Sequence, residues 1–531
     1  MNQIKIDPER ILSDIDRNVF GGYMELGSRD TRFSFLDVGD ALPADKNKLR
    51  IDVREALERM KFSNIRFPGG NFASGYRWID GVGPRTARPT THDVAQYSIC
   101  ANQYGTNEFI LLCRAFNIEP YLCVNCGDGD MREAADWVEY CNGTGETTLA
   151  KLRREHGFTE PHKVKYWGIG NEVDNLAQVG FKTPQEYARA YTEFSKVMKR
   201  VDPDIKLIAS AVCRWEDYPH TRAYPEPKTE WVERAQLMLE QAGDRIDYMA
   251  FHQYAKGSND DIYEDYMAFG EDLNERLDAY EGIIKAVSLE RGIKHAIGIA
   301  VDEWGASHRT RGSSRDVPIS VDRDEWGVMR LATDEKNVSS QRGGTSINME
   351  DALVTGMYLN AFIRHAYSVR MANFTPMPTS VGKNLKKADD KVILDTIFYP
   401  FELYSRTCGQ LVLDVFWKGD TFSGTYRNRA YTGIRTLDVV ATLDKACKQL
   451  VVYVVNQSKE KAMETTISLA SGEFVDNIKV SIINGPDIKS ENTLEKPNQV
   501  GVKETTFKAL GKSFIYTFEP HSVTALVCSV S

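Results

Sequence analysis

The chain has 531 residues, of which 42% are hydrophobic and 27% are charged, the balance of an ordinary soluble globular protein. This length predicts two domains rather than one. The formal net charge of −9 argues against a dominant basic surface and therefore against a nucleic-acid partner.

The first residues, MNQIKIDPERILSDID, lack the basic, apolar and small-residue regions of a secretory signal. No apolar run approaches the roughly 18 residues that are needed to span a bilayer. The nine cysteines are odd in number and scattered, which favours a reducing compartment over a disulfide framework. The expected location is therefore the cytoplasm, with no membrane partner.

Eight short apolar runs recur between segments of helical character. The runs are FGGYMEL (20–26), SNIRFPGG (63–70), EPYLCVNCG (119–127), KVKYWGIGNE (163–172), IKLIASAV (205–212), IDYMAFHQY (246–254), AIGIAVDEW (296–304) and VRMANFTPM (369–377). The helical segments include VREALERM (53–60), TPQEYARAYTEFSKVMKRV (183–201), WVERAQLMLEQAG (231–243) and LDAYEGIIKAVSLERG (277–292). Strands that alternate with helices predict parallel pairing, and eight such units predict a (β/α)8 TIM barrel over residues 16–390. A doubly wound sheet is the alternative, but no GxGxxG or phosphate loop marks one.

The third run contains a CxxC motif, formed by Cys123 and Cys126. A redox CxxC belongs at a helix N-terminus, whereas this one straddles an apolar strand, so a redox or metal role is not favoured. The nine histidines show no HExxH and no paired ligand spacing. The sequence therefore predicts no metal site.

The texture of the chain changes twice after the seventh run. Residues 306–350 are polar, arginine-rich and weakly periodic, and we expect a long loop there, where a barrel carries its active-site loops. After about residue 390, short strand-like runs follow one another without a long amphipathic helix. They predict an all-β, jelly-roll-like sandwich over residues 391–531, to which residues 1–15 could add a strand.

In a (β/α)8 barrel the reacting groups project from the carboxyl ends of the strands. The polar residues at those ends are Glu25 on the first strand, Arg66 and Asn71 on the second, Asn171 and Glu172 on the fourth, His252 and Tyr254 on the sixth, and Asp302, Glu303 and Trp304 on the seventh. Glu172 and Glu303 would face each other across the barrel mouth. Two carboxylates about 5–5.5 Å apart are what a retaining glycosidase needs.

The surroundings of the two glutamates predict different roles. Arg66 and Tyr254 near Glu303 would hold it ionised, which suits a nucleophile. Repulsion from that charge would keep the proton on Glu172, which suits the acid that later activates water. Asn171 could donate its amide to a sugar hydroxyl beside the reacting carbon.

Each of these residues also has a purely structural interpretation. The stretch WGIGNEVDN could begin a helix with Glu172 as a first-turn acid. Arg66 could form a structural ion pair, and Gly69-Gly70 a tight turn. Asp-Glu-Trp occurs twice, but Asp324-Glu325-Trp326 follows no strand and is expected to be a solvated turn, whereas the copy at Glu303 follows a clean apolar strand. The functional interpretation is favoured because all the candidates fall at the same end of separate strands.

The motifs FGGYMELG, NIRFPGGNFASGYRWIDGVGPRTARP, KYWGIGNEVDN, FHQY, VDEW and TIFYPF resemble the signature stretches of glycoside hydrolase family 51. The similarity runs in order over most of residues 18–405. That family consists mostly of α-L-arabinofuranosidases with a catalytic (β/α)8 barrel and a C-terminal β-sandwich. The resemblance implies no metal or cofactor, and a cytoplasmic homo-oligomer, commonly a hexamer, that acts on oligosaccharide fragments of arabinan and arabinoxylan.

The resemblance also implies roles for individual residues. Glu172 would be the general acid/base and Glu303 the nucleophile, positioned by Arg66 and Tyr254. The furanose hydroxyls would be held by Glu25, Asn71 and Asn171, and we add His252, Trp304 and Asp395 to the predicted sugar-binding residues.

The chain departs from the family pattern at four places. Asp395 stands where many members carry a glutamine before TIFYPF, and Gln96 stands where a tryptophan often walls the sugar site. Gly305 replaces a frequent asparagine, and residues 374–390 carry prolines and charges in place of an apolar stretch. These changes leave open another glycoside as substrate, such as a xyloside, a galactofuranoside or a β-glucan. A carbohydrate-binding protein without activity is the other alternative, and the intact glutamate pair argues against it.

Overall fold

A computed structural model describes residues 2–26, 51–95, 98–175, 178–212, 231–255, 262–306, 321–323, 329–331, 347–375, 379–381, 392–446, 448–493 and 495–531. Within these ranges the chain forms a closed eight-stranded barrel and a nine-stranded sheet. None of the helices described there is long and apolar enough to cross a membrane. Gln96, the second Asp-Glu-Trp copy and most of the predicted loops 306–350 and 374–390 lie outside the described residues.

Eight parallel strands close the barrel. They are Gly21–Tyr23, Asn64–Phe67, Glu119–Val124, Tyr166–Ile169, Lys206–Val212, Tyr248–Ala255, Gly298–Ala306 and Val369–Phe374, named here barrel strands one to eight. Each strand pairs with the next one along the chain, and strand eight pairs with strand one. Six strands lie within their apolar runs, and strands six and seven extend one and two residues beyond theirs, so the predicted (β/α)8 barrel is confirmed.

Helices cover the outside of the barrel. They are Ile51–Met60, Thr106–Phe116, Met131–Asn142, Thr148–Glu155, Pro184–Val201, Trp231–Ala242, Tyr263–Met267, Phe269–Arg291, Met349–Arg364 and Phe398–Thr407. Met349–Arg364 differs from the others because its residues from Met349 to Ile363 are all buried. This helix lies between barrel strand seven and the nine-stranded sheet, and a Cβ on Gly356 would touch Val455 of the sheet at 2.9 Å.

The nine-stranded sheet contains one strand from the start of the chain. In spatial order its strands are Gly501–Lys508, Asn477–Asn484, Ser522–Ser529, Gln449–Asn456, Leu437–Asp444, Leu411–Lys418, Asn2–Asp14, Met463–Leu469 and Ser513–Phe518. Strands from both halves of this order share one core, and Phe507 on the first strand lies 5.5 Å from Phe514 on the last. The sheet therefore curls over a single core, in agreement with the predicted all-β C-terminal unit. The boundary predicted at residue 391 stays a prediction.

Besides short 3-10 helices, the described residues also form four two-stranded antiparallel pairs. They are Thr91–Asp93 with Ser98–Cys100, Val321–Arg323 with Met329–Leu331, Thr379–Val381 with Val392–Leu394, and Thr421–Tyr426 with Arg429–Arg435. The last is named here the Arg427 hairpin. Its two-residue turn has φ values of 50° at Arg427 and 61° at Asn428. Positive φ at both positions is the type I′ geometry, whose twist matches that of the flanking strands.

Candidate active site

A β-bulge brings two neighbouring carboxylates into the barrel mouth. Strand seven pairs Ala300 with Ala250 and Glu303 with His252, so it has one residue more than strand six over this interval. Neighbouring side chains of a regular strand point to opposite faces, and an extra residue changes that alternation. Asp302 and Glu303 consequently both approach His252, at 3.3 Å from Nε2 and 3.4 Å from Nδ1.

Glu303 is held by two donors from other strands. Arg66 Nη1 donates to Glu303 Oε1 at 2.7 Å, and the Tyr254 hydroxyl donates to Oε2 at 2.8 Å. The Arg66 side chain is 1% exposed, and its Nε lies 3.4 Å from Asp302 Oδ2, so the buried cation has two carboxylate partners. The structure thus brings together the nucleophile candidate and both residues that the sequence assigned to it.

Glu172 does not begin a helix. Residues 171–174 form a turn, and the next helix begins at Pro184. Glu172 has a φ of 43°, in the left-handed region that non-glycine residues seldom occupy outside special sites. Its Oε2 accepts from Asn175 Nδ2 at 3.0 Å, and its Oε1 lies 3.0 Å from His252 Nδ1.

The two catalytic candidates lie close together. One carboxylate oxygen of Glu172, one of Glu303 and one ring nitrogen of His252 are within 4.8 Å of one another. This separation is near the roughly 5–5.5 Å between the carboxyl groups of retaining glycosidases and well below the roughly 6.5–9.5 Å of inverting ones.

His252 is a cation between the carboxylates. Burial alone would lower the pKa of its imidazole, but Glu303, Asp302 and Glu172 raise that pKa to about 10. Burial likewise would raise the pKa of Glu172, but the hydrogen bond and charge of His252 hold it below its ordinary value. The prediction that repulsion keeps the proton on Glu172 is therefore wrong for the resting site, where the proton lies on the neighbouring ring.

A third carboxyl, Glu25, stands beside the nucleophile. Its Oε1 accepts the Phe72 N–H at 3.2 Å. Burial, followed by the negative charge of Glu303, raises the pKa of Glu25 to about 7. Glu25 is therefore largely neutral below that pH, although the pKa values of Glu172 and Asp302 in the same cluster are lowered.

Gly69 and Gly70 shape the floor beside Glu25 and Glu303. Gly69 has a φ of 113°, and a Cβ there would lie 2.4 Å from the Glu25 Cβ. A Cβ on Gly70 would lie 2.5 Å from the Tyr23 hydroxyl and 3.0 Å from Glu303 Oε1. A contact of 2.5 Å is impossible without movement, so the tight turn also keeps space open over the carboxylates.

The side-chain Nδ2 of Asn171 has no hydrogen-bond acceptor among the described residues. Its Oδ1 accepts from Arg66 Nη2 at 2.7 Å, which fixes the amide, while its buried Nδ2 finds no acceptor there. An amide in this state suits a ligand hydroxyl. Asn71, at the start of the short 3-10 helix Asn71–Gly75, is exposed on the same side of the barrel.

Two predicted sugar-binding residues are buried, and their contacts with the substrate stay predictions. Trp304 is fully buried, and its ring packs against Tyr358 at 4.9 Å and Phe374 at 4.6 Å. Beyond the bulge, strand seven pairs regularly with strand six, so the side chain of Trp304 points to the opposite face from that of Glu303 and packs under the helix Met349–Arg364. Asp395 is also buried, and its carbonyl accepts the N–H of Phe398 at the start of the last helix.

The sequence analysis gave no role to three residues of the site. The Tyr23 hydroxyl lies beside Gly70, and the Tyr121 hydroxyl donates to Asp302 Oδ2 at 2.9 Å. Asp302 itself was recognised at a strand end but was given no role. The signal for Tyr121 was its inward position on strand three, where it joins the barrel's interior layer with Tyr166, Ile208 and Met371.

The CxxC thiols lie near the site without the properties of a redox pair. Cys123 and Cys126 are both buried, and burial raises the pKa of each to about 11. A thiol that stays protonated is a poor nucleophile and a poor metal ligand. Cys123 Sγ instead donates to the Gly170 carbonyl at 3.2 Å, just before Asn171.

The donor types of Glu172, His252 and Glu303 would suit a divalent cation, because each offers one ligand atom to a common centre. An imidazole must be neutral to bind a metal, however, and the carboxylates around His252 favour its charged form. The electrostatics therefore favour the hydrogen-bonded arrangement of the three side chains.

Two protein-family models match the chain. The model described as "Alpha-L-arabinofuranosidase 1 domain" matches residues 56–274, and "Alpha-L-arabinofuranosidase C-terminal domain" matches residues 324–522. The α-L-arabinofuranosidase C of Emericella nidulans is 32% identical over 529 residues, covering 98% of this chain and 96% of that protein. The intracellular exo-α-(1→5)-L-arabinofuranosidase 1 of Bacillus subtilis is 28% identical over 500 residues, covering 93% and 92%.

Solved structures give the same result. The α-L-arabinofuranosidase of Thermotoga maritima in complex with arabinose has a TM-score of 0.82 and 30% identity, covering 99% of both chains. The thermostable GH51 α-L-arabinofuranosidase of Thermotoga petrophila has the same TM-score and identity, covering 99% of this chain and 100% of that chain. A family 44 xyloglucanase of Paenibacillus polymyxa has a TM-score of 0.60 at 12% identity, a likeness of fold alone.

Proposed function

Because the chain belongs to glycoside hydrolase family 51 and is a glycoside hydrolase that releases arabinofuranosyl residues, we propose that it does so by a retaining double displacement. The observation that carries this mechanism is the approach of Glu172 and Glu303 to within 4.8 Å. In a pair this close, one carboxylate attacks the anomeric carbon and the other protonates the leaving oxygen on the opposite face of the sugar.

In the first step Glu303 attacks the anomeric carbon, and the bond to the leaving oxygen breaks as Glu172 protonates that oxygen. Arg66 and Tyr254 hold the Glu303 carboxyl group in position, because each donates a hydrogen bond to one of its two oxygens. In the second step Glu172 takes a proton from water, whose oxygen displaces Glu303 from the sugar. The free Asn171 Nδ2 would bind the adjacent hydroxyl throughout both steps.

His252 supplies the proton that Glu172 delivers. At rest the ring is charged and its Nδ1 lies 3.0 Å from Glu172 Oε1, so the proton needs to move over one short contact. Glu303 loses its negative charge when it bonds to the sugar, and His252 loses its positive charge in the same step. The net charge of the buried site is therefore unchanged, which avoids the cost of an unpaired buried charge.

The relatives suggest the substrate class. The Bacillus subtilis protein is named an intracellular exo-acting enzyme on α-(1→5)-linked L-arabinofuranosides, and the Thermotoga maritima structure contains arabinose. We propose that this chain removes terminal α-L-arabinofuranosyl residues from short fragments of arabinan and arabinoxylan in the cytoplasm, as a homo-oligomer without a cofactor. A panel of nitrophenyl glycosides tests the sugar, since turnover of a xyloside or galactofuranoside without the arabinofuranoside would contradict this choice.

The roles of the two glutamates are tested by replacement and azide rescue. Glu303→Ala should lower kcat on 4-nitrophenyl α-L-arabinofuranoside by at least about 1,000-fold, and azide should restore turnover by forming a glycosyl azide of inverted configuration. Glu172→Ala should retain far more activity on a substrate with a good leaving group, and azide should there give the retained configuration. Proton NMR of the first product released by the wild type should show retention.

The second Asp-Glu-Trp copy provides the matched control. Glu325→Ala changes the same residue type in the same three-residue motif and should leave kcat unchanged. Full activity of both the Glu303 and the Glu172 variant, or an inverted first product of the wild type, would show that the assignment is wrong.

A further inference from the structure

The Arg427 hairpin belongs to the C-terminal unit but lies on the barrel. It follows the strand Leu411–Lys418 of the nine-stranded sheet and pairs only with itself in the described structure. Three contacts attach it to the helices after barrel strand six: Thr425 N–H to Asp265 Oδ1 at 2.6 Å, Arg429 to Glu275 at 2.6 Å, and the Tyr431 hydroxyl to Asp272 Oδ1 at 3.1 Å. The hairpin is therefore attached to the two helices that follow barrel strand six, the strand that contains Tyr254.

The tip of the hairpin reaches the residue that holds the nucleophile. Arg427 Nη2 donates to the Tyr254 carbonyl oxygen at 3.0 Å. The hydroxyl of Tyr254 donates to Glu303 Oε2 at 2.8 Å. One residue thus receives a charge-assisted hydrogen bond from the C-terminal unit at its backbone and gives a hydrogen bond to the candidate nucleophile from its side chain.

The end of strand six is also supported from its other side. The Tyr358 hydroxyl donates to the Gln253 carbonyl at 2.7 Å. The Phe269 ring lies between Tyr358 and Tyr426 of the hairpin. Its centroid is 4.6 Å from that of Tyr358 and 5.6 Å from that of Tyr426. The two carbonyls at 253 and 254 are consequently fixed from opposite sides, and the packed rings leave the hairpin little freedom to move.

We propose that Arg427 is a positioning residue of the glycosidase reaction, which acts through the Tyr254 carbonyl to hold the Tyr254 hydroxyl on Glu303. The inference rests on the proposed role of Glu303 as nucleophile and extends it to a residue outside the barrel. A nucleophile must lie within a few tenths of an ångström of its reactive position, so loosening its support lowers kcat without changing the sugar contacts.

The test compares Arg427→Met with Arg429→Met on the same hairpin. Arg429 lies two residues further on and pairs with Glu275, away from Tyr254. We expect Arg427→Met to lower kcat by about 10-fold with KM changed less than about 2-fold, the pattern of an interaction that acts in the transition state. Arg429→Met should leave both constants unchanged, and the two variants should have the same melting temperature.

A double-mutant cycle with Tyr254→Phe distinguishes positioning from general destabilisation. If Arg427 acts through the Tyr254 hydroxyl, Arg427→Met should lower kcat by less than about 2-fold in the Tyr254→Phe background, and Arg427→Lys should recover part of the loss in the wild-type background. Equal effects in both backgrounds, or an equal loss in Arg429→Met, would overturn the inference. If Glu303→Ala and Tyr254→Phe also kept full activity, the proposed function itself would fail, which is a separate outcome.

Discussion

Glu25 is a residue of the site whose ionisation destabilises the folded protein. Its carboxyl is half-buried beside Glu303, and its pKa is raised from an ordinary 4.5 to about 7. A raised pKa means that the protonated form is favoured by folding, so this contribution to stability is complete below pH 4.5 and is lost as the pH rises through 7. Glutamine, a neutral isostere of glutamate, does not ionise, so a glutamine at this position should not lose stability as the pH rises.

We therefore expect Glu25→Gln to be more stable than the wild type at pH 8, by roughly 1–3 kcal/mol, with the difference reduced to about a quarter of that at pH 5. Thermal unfolding at the two pH values measures it. The same variant should bind substrate less well, because Glu25 is proposed to hold a furanose hydroxyl. Glu290→Gln, on an exposed position of the helix Phe269–Arg291, is the control and should show no such dependence on pH. A Gln variant no more stable at pH 8 than at pH 5 would contradict the argument.

His252 shows where prediction at the scale of residues fails. The sequence placed Glu172 and Glu303 at facing strand ends, and repulsion between them was a reasonable basis for a raised pKa on Glu172. The pKa of Glu172 is lowered instead, because His252, from a third strand, lies between the two glutamates. Which side chains meet depends on barrel closure and on the bulge in strand seven, and neither is encoded in the local sequence around any one of the three.

At the scale of elements, the Tyr187 hydroxyl provides hydrogen bonds where the backbone pairing of barrel strands four and five ends. Strands four and five pair as far as Ile169 and Ala209. Beyond that point the Tyr187 hydroxyl donates to the Ile169 carbonyl at 2.6 Å and accepts the Ser210 N–H at 2.7 Å. One hydroxyl from the helix Pro184–Val201 thus satisfies two buried backbone groups where the strands separate, three residues before Glu172.

Tyr187→Phe should lower the free energy of unfolding by about 2–4 kcal/mol, because it leaves both a buried acceptor and a buried donor without a partner. Tyr191→Phe is the matched control, one turn later on the same helix. Its hydroxyl donates only to the Arg245 carbonyl at 3.2 Å, so we expect a loss of about 1 kcal/mol. Urea unfolding followed by circular dichroism compares the two. Equal losses would show that the bridging hydroxyl has no special role.

The barrel strands were predictable because each is a short apolar run that ends in polar residues, such as IKLIASAV or AIGIAV. The helix Met349–Arg364 was not, because MEDALVTGMYLNAFIR is buried on all sides and lacks the amphipathic period that marks a surface helix. The helix Phe398–Thr407 lies within the range 391–531 that the sequence assigned to the sandwich, a boundary that stays a prediction. Phe401 of that helix packs on Phe374 of barrel strand eight and on Phe62, and this tertiary contact has no local signature.

At the scale of the whole molecule, the barrel and the nine-stranded sheet are joined by elements that contact both. Strand Asn2–Asp14 lies inside the nine-stranded sheet, and Asp14 Oδ2 accepts from Arg370 Nη2 of barrel strand eight at 2.7 Å. The buried helix Met349–Arg364 contacts the sheet through Asn360, whose Nδ2 donates to Asp438 at 3.0 Å. Neither unit can lose its structure without exposing buried surface of the other, so we expect a single cooperative transition rather than the two that separate domains often show.

Ile4→Ala tests this coupling from the start of the chain. Ile4 is fully buried in the core of the sheet, opposite Trp417 and Ile467. Its truncation should cost about 2–5 kcal/mol and lower the melting temperature by about 2–5 °C, with catalytic activity lost in the same transition as the circular dichroism of the sheet. Ile11→Ala, on the same strand but 37% exposed, should change both much less. A barrel that stays active after the sheet has unfolded would contradict the coupling, and it would also remove the physical basis for an arginine of the C-terminal unit supporting the nucleophile.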